Sequence, residues 1–181
     1  MVGNMANLAG TIKQPKGVTL IGMATAGKTT VGPILAKKLG FVLHDVDALM
    51  EKYEKDELRN VINTKGQDYI LALEARTIAK RDLHGKVLVT PGSIVHVPAC
   101  HAQLKRQTTV VWLDVPYKTI EARMAQDKDR AVIGLRQKGL RPLFEERYPL
   151  YQSLADIRIV SGDKTPETIA DEIGTELQRL S

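Results

Sequence analysis

The residues Gly22-Met23-Ala24-Thr25-Ala26-Gly27-Lys28-Thr29 fit the spacing Gly-x-x-x-x-Gly-Lys-[Ser/Thr]. That spacing suits a polyphosphate. Glycines let the backbone curl until consecutive N–H groups point into one concavity. The helix that follows adds a partial positive charge at its first turn. Lys28 can reach β- and γ-phosphates, and the Thr29 hydroxyl can ligate Mg²⁺. The expected ATP contacts are Gly22, Ala24, Ala26, Gly27, Lys28, Thr29 and Thr30. A glycine-rich turn without a ligand is the competing reading. Context decides against it, because a β-rich run precedes the segment and a helical pattern follows, as the motif requires.

Phosphoryl transfer needs more than a phosphate loop: an acid near the metal, an acceptor pocket, and cations over the phosphates. Asp45-Val46-Asp47 supplies two acids on one short turn. One can hold Mg²⁺ or its waters while the other orients or deprotonates an acceptor hydroxyl; the alternative is an exposed acidic turn or a helix N-cap. Asp114, after Val-Val-Trp-Leu, competes for the metal-side role. The Arg-rich stretch from Arg123 to Arg147 can supply lid cations, or can be a solvated helical face. No Asn-Lys-x-Asp guanine motif is present, and the length leaves no room for a large ATPase domain.

The elements that must position these residues alternate. Val18–Ile21, Phe41–Leu43, Val87–Thr90, Thr109–Leu113 and Ile157–Val160 read as strands, expected to be buried on both faces. Helical patterns run over Lys28–Leu39, Gln67–Arg81, Pro98–Arg106, Lys118–Ala125, Leu143–Ala155 and Pro166–Leu180. Alternation of this kind predicts an α/β fold, a parallel sheet flanked by helices. Ligands bind such sheets at the carboxyl ends of strands, which here carry Gly22, Asp45, Gly92 and Asp114. Pro33, early in the first helical pattern, removes one backbone donor.

The 181 residues, 43% hydrophobic and 26% charged, suit one soluble domain with a sizeable core. One cysteine excludes an internal disulfide, and four histidines lack metal-ligand spacing. No apolar run approaches the roughly 20 residues of a membrane span, so a cytoplasmic protein without membrane contact is expected. Residues 1–17 read as a flexible tail without the apolar region of a secretory signal, and residues 18–181 as the domain. The net charge of +5 is uneven: the first 40 residues hold five lysines and no acid, while residues 41–60 hold three basic and six acidic side chains. No Lys/Arg tract and only 4% aromatics argue against nucleic acid as the partner. His44 can touch phosphate or acceptor, and His96 and His101 can line the acceptor pocket, but strand-end, loop or surface positions are the preferred reading of all three; Cys100 reads as inert packing and Trp112 as core.

From about Val18 to Ile173 the sequence resembles the shikimate kinases. The matching pieces are Leu-Ile-Gly…Ala-Gly-Lys-Thr-Thr-Val-Gly at 20–32, Asp-Val-Asp at 45–47, Val-Trp-Leu at 111–113 with Arg123 beyond, and Arg-Tyr-Pro-Leu-Tyr at 147–151 followed by Ala155-Asp156. The resemblance implies a three-layer P-loop kinase fold with a five-stranded parallel sheet flanked by helices and a mobile lid at about 126–141. It implies ATP-dependent phosphorylation of a small acceptor bearing a hydroxyl and a carboxylate, shikimate foremost, in aromatic amino acid biosynthesis, by a monomer or weak oligomer. By the same likeness Asp45 supports Mg²⁺ with Thr29, and Asp47 contacts the acceptor and is the base candidate. Arg147 anchors the carboxylate, Gly92 belongs to the acceptor turn, and Arg123 and Pro166 sandwich the adenine. Arg130 is preferred over Arg141 as the lid arginine, because Arg141 lies too close to Arg147.

Two departures fall on the acceptor side. In Gly66-Gln67-Asp68-Tyr69-Ile70-Leu71-Ala72-Leu73-Glu74, the place of the family's second carboxylate-binding arginine is taken by Leu71. The family's triple-glycine turn is Pro91-Gly92-Ser93, retaining one glycine. These departures keep two alternatives open: a different hydroxylated acceptor, or a catalytically weak ATP-binding regulatory module.

Overall fold

A computed structural model describes residues 15–127 and 131–180. Most of the expected tail, and Arg130 within the expected lid, lie outside those residues. Five strands, β1 (Gly17–Ile21), β2 (Val42–Asp45), β3 (Lys86–Val89), β4 (Thr108–Asp114) and β5 (Ile157–Val160), form one sheet in the order β2-β3-β1-β4-β5. Every pairing is parallel. Parallel neighbours require crossover connections, and helices supply them. Nine α-helices are described: α1 (Lys28–Leu39), α2 (Val46–Glu54), α3 (Leu58–Lys65), α4 (Gln67–Ala79), α5 (Pro98–Gln107), α6 (Tyr117–Gln126), α7 (Leu135–Lys138), α8 (Leu140–Leu154) and α9 (Pro166–Arg179).

The order of the sheet locates the site. From β1 the chain crosses through α1 to β2 on one side; from β3 it crosses through α5 to β4 on the other. The connections therefore diverge at the carboxyl ends of β1 and β3, the place where such sheets open a crevice. The phosphate loop follows β1, and Pro91-Gly92-Ser93 follows β3, entering a 3₁₀ turn over Gly92–His96.

Strand burial departs from the sequence expectation at the edges. The central β1 is buried throughout, and β4 nearly so. The edge strands β2 and β5 are not sealed on both faces: Val42 and Val160 are each 53% exposed, and β5 alternates buried with exposed positions. Apolar runs look alike in sequence whether a strand has one neighbour or two. The helices α2, α3 and α7 and the 3₁₀ turn were not anticipated, because each is short and buries few residues: α2 only Val46 and Met50, α3 only Val61. Helix α8 starts three residues earlier than the pattern suggested. Pro142 sits in its first turn, where a missing N–H costs nothing. Pro33 lies inside α1, which remains one helix.

One core fills the space between sheet and helices. Trp112, 2% exposed, belongs to it, as expected. It meets Tyr148 edge-to-face at 4.9 Å and stacks on Tyr151 at 6.1 Å, locking α8 onto β4. Offset and edge-to-face pairs of this kind add about 0.5–1.5 kcal/mol beyond their burial. Helix α8 also carries Arg147, one residue before Tyr148 and one helical turn before Tyr151, so the aromatic contacts fix the stretch of helix that presents the guanidinium.

Candidate functional site

The phosphate loop between β1 and α1 has the backbone its sequence demands. Gly22 and Gly27 hold φ of +142° and +95°, and Thr25 holds the unusual value of +61°. Helix α1 begins without a side-chain cap and without an acid in its first turn. No side chain therefore caps this helix start, a setting that suits an anion. Lys28 is 6% exposed, and its Nζ donates to the Gly22 and Met23 carbonyls at 2.8 Å each. A buried ammonium at an uncapped helix start fits a nucleotide polyphosphate. For Mg²⁺ the available donors are hard oxygens, the exposed Thr29 hydroxyl and the Asp45 carboxylate. Asp45 also caps α2, accepting from the Ala48 N–H at 3.3 Å; one of its oxygens takes the role the sequence left as an alternative.

Arg123 joins the loop to the far side of the crevice. Its Nη1 donates to the Thr25 carbonyl and its Nη2 to the Gly162 carbonyl, both at 3.1 Å. Gly162 leads to Pro166, the first residue of α9. Arg123 and the start of α9 therefore flank the same edge of the loop.

Beside the loop lies a small cavity of about 60 Å³, lined among others by Lys28, Thr29, Asp47, Gly92, Ser93 and Arg147. The phosphate loop, α1, α2, α3, α4, the turn after β3 and α8 all contribute to its wall. Gly92 is required by close approach. A Cβ at that position would lie 3.1 Å from Arg147 Nη1, 3.3 Å from the Ala24 nitrogen and 3.4 Å from the Tyr151 hydroxyl. Tyr151 donates to the Gly92 carbonyl at 2.6 Å, and burial pushes its own phenol up to about 12. Arg147 is 1% exposed; its Nη2 donates to the Ile133 carbonyl at 2.8 Å and its Nε has no hydrogen-bond partner.

Residues 131–134 lie across the cavity. Ala131, Val132 and Ile133 line it, the Gly134 N–H donates to Gln67 Oε1 at 3.0 Å, and Arg136 reaches Asn63 at 3.3 Å. On the outer side of Ile133 and Arg147 is an open groove of about 590 Å³ whose walls include Leu71, His96 and Lys138. His96 is thus a site-wall residue rather than ordinary surface. It stands 3.3 Å from Glu146, and burial, with Arg147 nearby, lowers its pKa.

Other candidates fall elsewhere. Asp114, 7% exposed, is held by Arg158 of β5 at 2.9 and 2.6 Å. Arg141 packs over the Tyr117 ring at 4.0 Å and is absent from the cavity wall. Arg76 lies over Tyr69 at 5.5 Å and does not replace the missing arginine. His44 is on β2, away from the cavity. His101 meets the Ile94 carbonyl at 2.9 Å. Cys100 is buried, its thiol pushed up to about 11 by that burial.

Sequence reasoning missed Glu74 as a part of the site. It is fully buried on α4, and its Oε2 pairs with Ser93 Oγ at 2.8 Å. Burial, reinforced by the Asp47 charge, raises its carboxyl to about 8 against the opposing pull of Ser93, Arg147 and Lys28. The signal was present: Ile70, Glu74 and Ile78 share one buried helix stripe, and an acid there interrupts an apolar pattern.

Comparison with known proteins shows the family and the fold. The family model for shikimate kinase matches residues 24–178. A shikimate kinase of Persephonella marina is 37% identical over 160 residues, covering 87% of this chain and 96% of the relative. One of a Sulfurihydrogenibium species is 36% identical over 165 residues, covering 91% and 99%. The solved structure of shikimate kinase from Acinetobacter baumannii in complex with shikimate superposes with a TM-score of 0.84 at 26% identity, over 92% of this chain and 95% of that one. A phosphate loop, a DxD turn, a glycine approached by a buried arginine and a relationship spanning nearly the whole sequence converge on one assignment: the chain belongs to the shikimate kinase family, ATP-dependent kinases of a small molecule.

Proposed function

We propose that this chain transfers the γ-phosphoryl group of ATP to a hydroxyl of shikimate. The observation that carries the reading is the single cavity where Lys28, Thr29, Asp47, Gly92 and Arg147 converge. ATP with Mg²⁺ supplies the phosphoryl group when bound. Lys28 leaves the loop carbonyls to neutralise phosphate charge, while the loop residues Gly22 to Thr30 cradle the chain of phosphates. Thr29 and Asp45 hold the metal, and Arg123 and Pro166 bracket the base. Asp47 orients the attacking hydroxyl and takes its proton. Arg147 anchors the acceptor carboxylate through a charge-assisted pair, and Arg130 answers the charge of the transferring group. Catalysis by such an arrangement is mostly positioning and electrostatic stabilisation.

Residues 131–134 belong to the lid in this reading. A cavity of about 60 Å³ holds about two waters at roughly 30 Å³ each, so the acceptor enters only as these residues swing away. Arg147 then exchanges the Ile133 carbonyl for the acceptor carboxylate. A second reading, a different hydroxy acid as acceptor, draws on Leu71, which lines the groove beside Arg147 without offering a charge.

ADP release measured with Mg²⁺-ATP and shikimate, beside a panel of other hydroxy acids, sugars and amino acids, tests the proposal. Shikimate-dependent release that a Lys28→Ala variant loses by a factor of about a thousand is the expected result. Release with another panel member alone would replace shikimate. Full turnover by Lys28→Ala would refute the mechanism.

A further inference from the structure

Ser93 stands where the likeness to the family leads one to expect bare glycine backbone, and it brings a hydroxyl to the cavity wall. It is 3% exposed and lines the cavity with Asp47, Lys28 and Arg147. Behind it, Glu74 lies with Oε2 2.8 Å from Ser93 Oγ, while Oε1 has no hydrogen-bond partner. Glu74 itself does not reach the cavity wall.

A hydroxyl carries one proton and two lone pairs, whereas an ionised carboxylate only accepts. If Glu74 is ionised, Ser93 spends its proton on Glu74 and shows the cavity lone pairs alone. If Glu74 carries a proton on Oε2, the hydrogen bond reverses. Glu74 then donates, and the Ser93 proton is free to turn toward the cavity. We propose that Ser93 donates a hydrogen bond to an oxygen of the bound acceptor, and that Glu74 acts behind it as a positioning residue by donating to the Ser93 oxygen. This rests on the acceptor reading given above.

The charges around Glu74 favour that state. Asp47, from α2, opposes ionisation; Arg147, from α8, and Lys28, from α1, favour it; burial outweighs both cations and holds the carboxyl neutral up to about pH 8. Cys100 of α5 and Tyr151 of α8 also feel Glu74. Their groups, at about 11 and about 12, stay protonated through the neutral range.

The test is the shikimate KM, measured at saturating Mg²⁺-ATP from pH 6.5 to 9.5 for the full chain, Ser93→Ala and Glu74→Gln. One neutral hydrogen bond, about 0.5–1.5 kcal/mol, corresponds to about a two- to twelvefold change. The wild-type KM is expected to rise by that factor as Glu74 ionises. Ser93→Ala should hold the higher value at every pH with the ATP KM unaltered. In Glu74→Gln the amide N–H donates to Ser93 at all pH, so the KM should lose its rise. A Ser93→Ala variant with the wild-type KM at neutral pH, or a Glu74→Gln variant that keeps the rise, overturns the proposal. Absence of any turnover of shikimate by the wild type refutes the acceptor reading itself, and this inference with it.

Discussion

Replacing Arg147 by methionine separates binding from stability. The guanidinium is 1% exposed; Nη2 holds the Ile133 carbonyl, Nη1 faces Gly92, and Nε is without a partner. Losing a charge-assisted bond to a carboxylate costs about 1.5–3 kcal/mol, so the shikimate KM should rise about ten- to 150-fold. The fold should suffer far less. An unpaired Ile133 carbonyl costs about 1–3 kcal/mol, but removing a buried guanidinium returns a desolvation penalty of several kcal/mol. The two nearly cancel, and at about 2–4 °C per kcal/mol for a chain of this size the melting midpoint should move by only a few degrees. Initial-rate kinetics with shikimate and with its methyl ester, beside a thermal melt, provide the assay. The ester lacks the negative charge, so its KM should differ little between wild type and variant. An ATP KM raised by the same factor as the shikimate KM would refute the reasoning, because Arg147 would then be serving phosphates. An unchanged shikimate KM would refute it as well.

Other perturbations address the frame around this residue. Helix α1 approaches the sheet so closely at Gly32 that an added Cβ would lie 2.5 Å from Val89 Cγ2; Gly32→Ala should cost about 1–3 kcal/mol of overpacking, seen as a lower denaturation midpoint and a weaker ATP affinity together. Glu74→Gln should stabilise the protein more at high pH than at low. The Glu74 carboxyl is raised from 4.5 to about 8 by folding, so the folded state binds the extra proton and wild-type stability falls as pH climbs between those values, levelling above about 8; denaturant melts at pH 5, 7 and 9 read the widening gap, and a constant gap would contradict it. Leu71→Arg should lower the shikimate KM by roughly tenfold, a charged contact of about 1.5–3 kcal/mol gained against a neutral one of about 0.5–1.5 lost at Ser93; kinetics with an unchanged KM would show that position 71 does not reach the carboxylate.

How far the site was legible in the sequence follows from the range of the interactions that build it. The phosphate loop is local: its glycines, its lysine and its helix start are consecutive, so spacing alone located them. The sheet was legible as five apolar runs. Which runs lay at the edges was not, because Val42 and Val160 differ from central residues only in what packs beside them. Asp47 was found as a candidate, yet its partner in the cavity, Arg147, lies a hundred residues on, and only the likeness to a family tied the two. Glu74 was passed over, and His96 was weighed as a pocket residue but read as surface, for a related reason. Each looks ordinary in its own segment and becomes part of the site only when α4 and the 3₁₀ turn are brought against α8.

The acceptor-side departures, read one at a time in the sequence, looked like losses. In the fold Ser93 meets the Glu74 carboxyl at 2.8 Å, and Leu71 lies on the same helix as that glutamate. Residue 71 precedes Glu74 by one helical turn, near enough for an arginine there to serve as counter-charge to an ionised glutamate. With Leu71 that cation is gone, and an ionised Glu74 would be a buried charge facing the Asp47 carboxylate, a costly arrangement. The carboxyl avoids the cost by keeping its proton, at about 8, and Ser93 supplies the hydrogen bond that a neutral acid can use. An arginine with an ionised glutamate, and a leucine with a protonated one, contribute the same net charge. Leucine at 71, with the proton kept on Glu74, therefore leaves the net charge around Arg147 where an arginine–glutamate pair would leave it. In the proposed acceptor reading Arg147 then anchors the carboxylate alone, without a second guanidinium and without a buried anion competing for it.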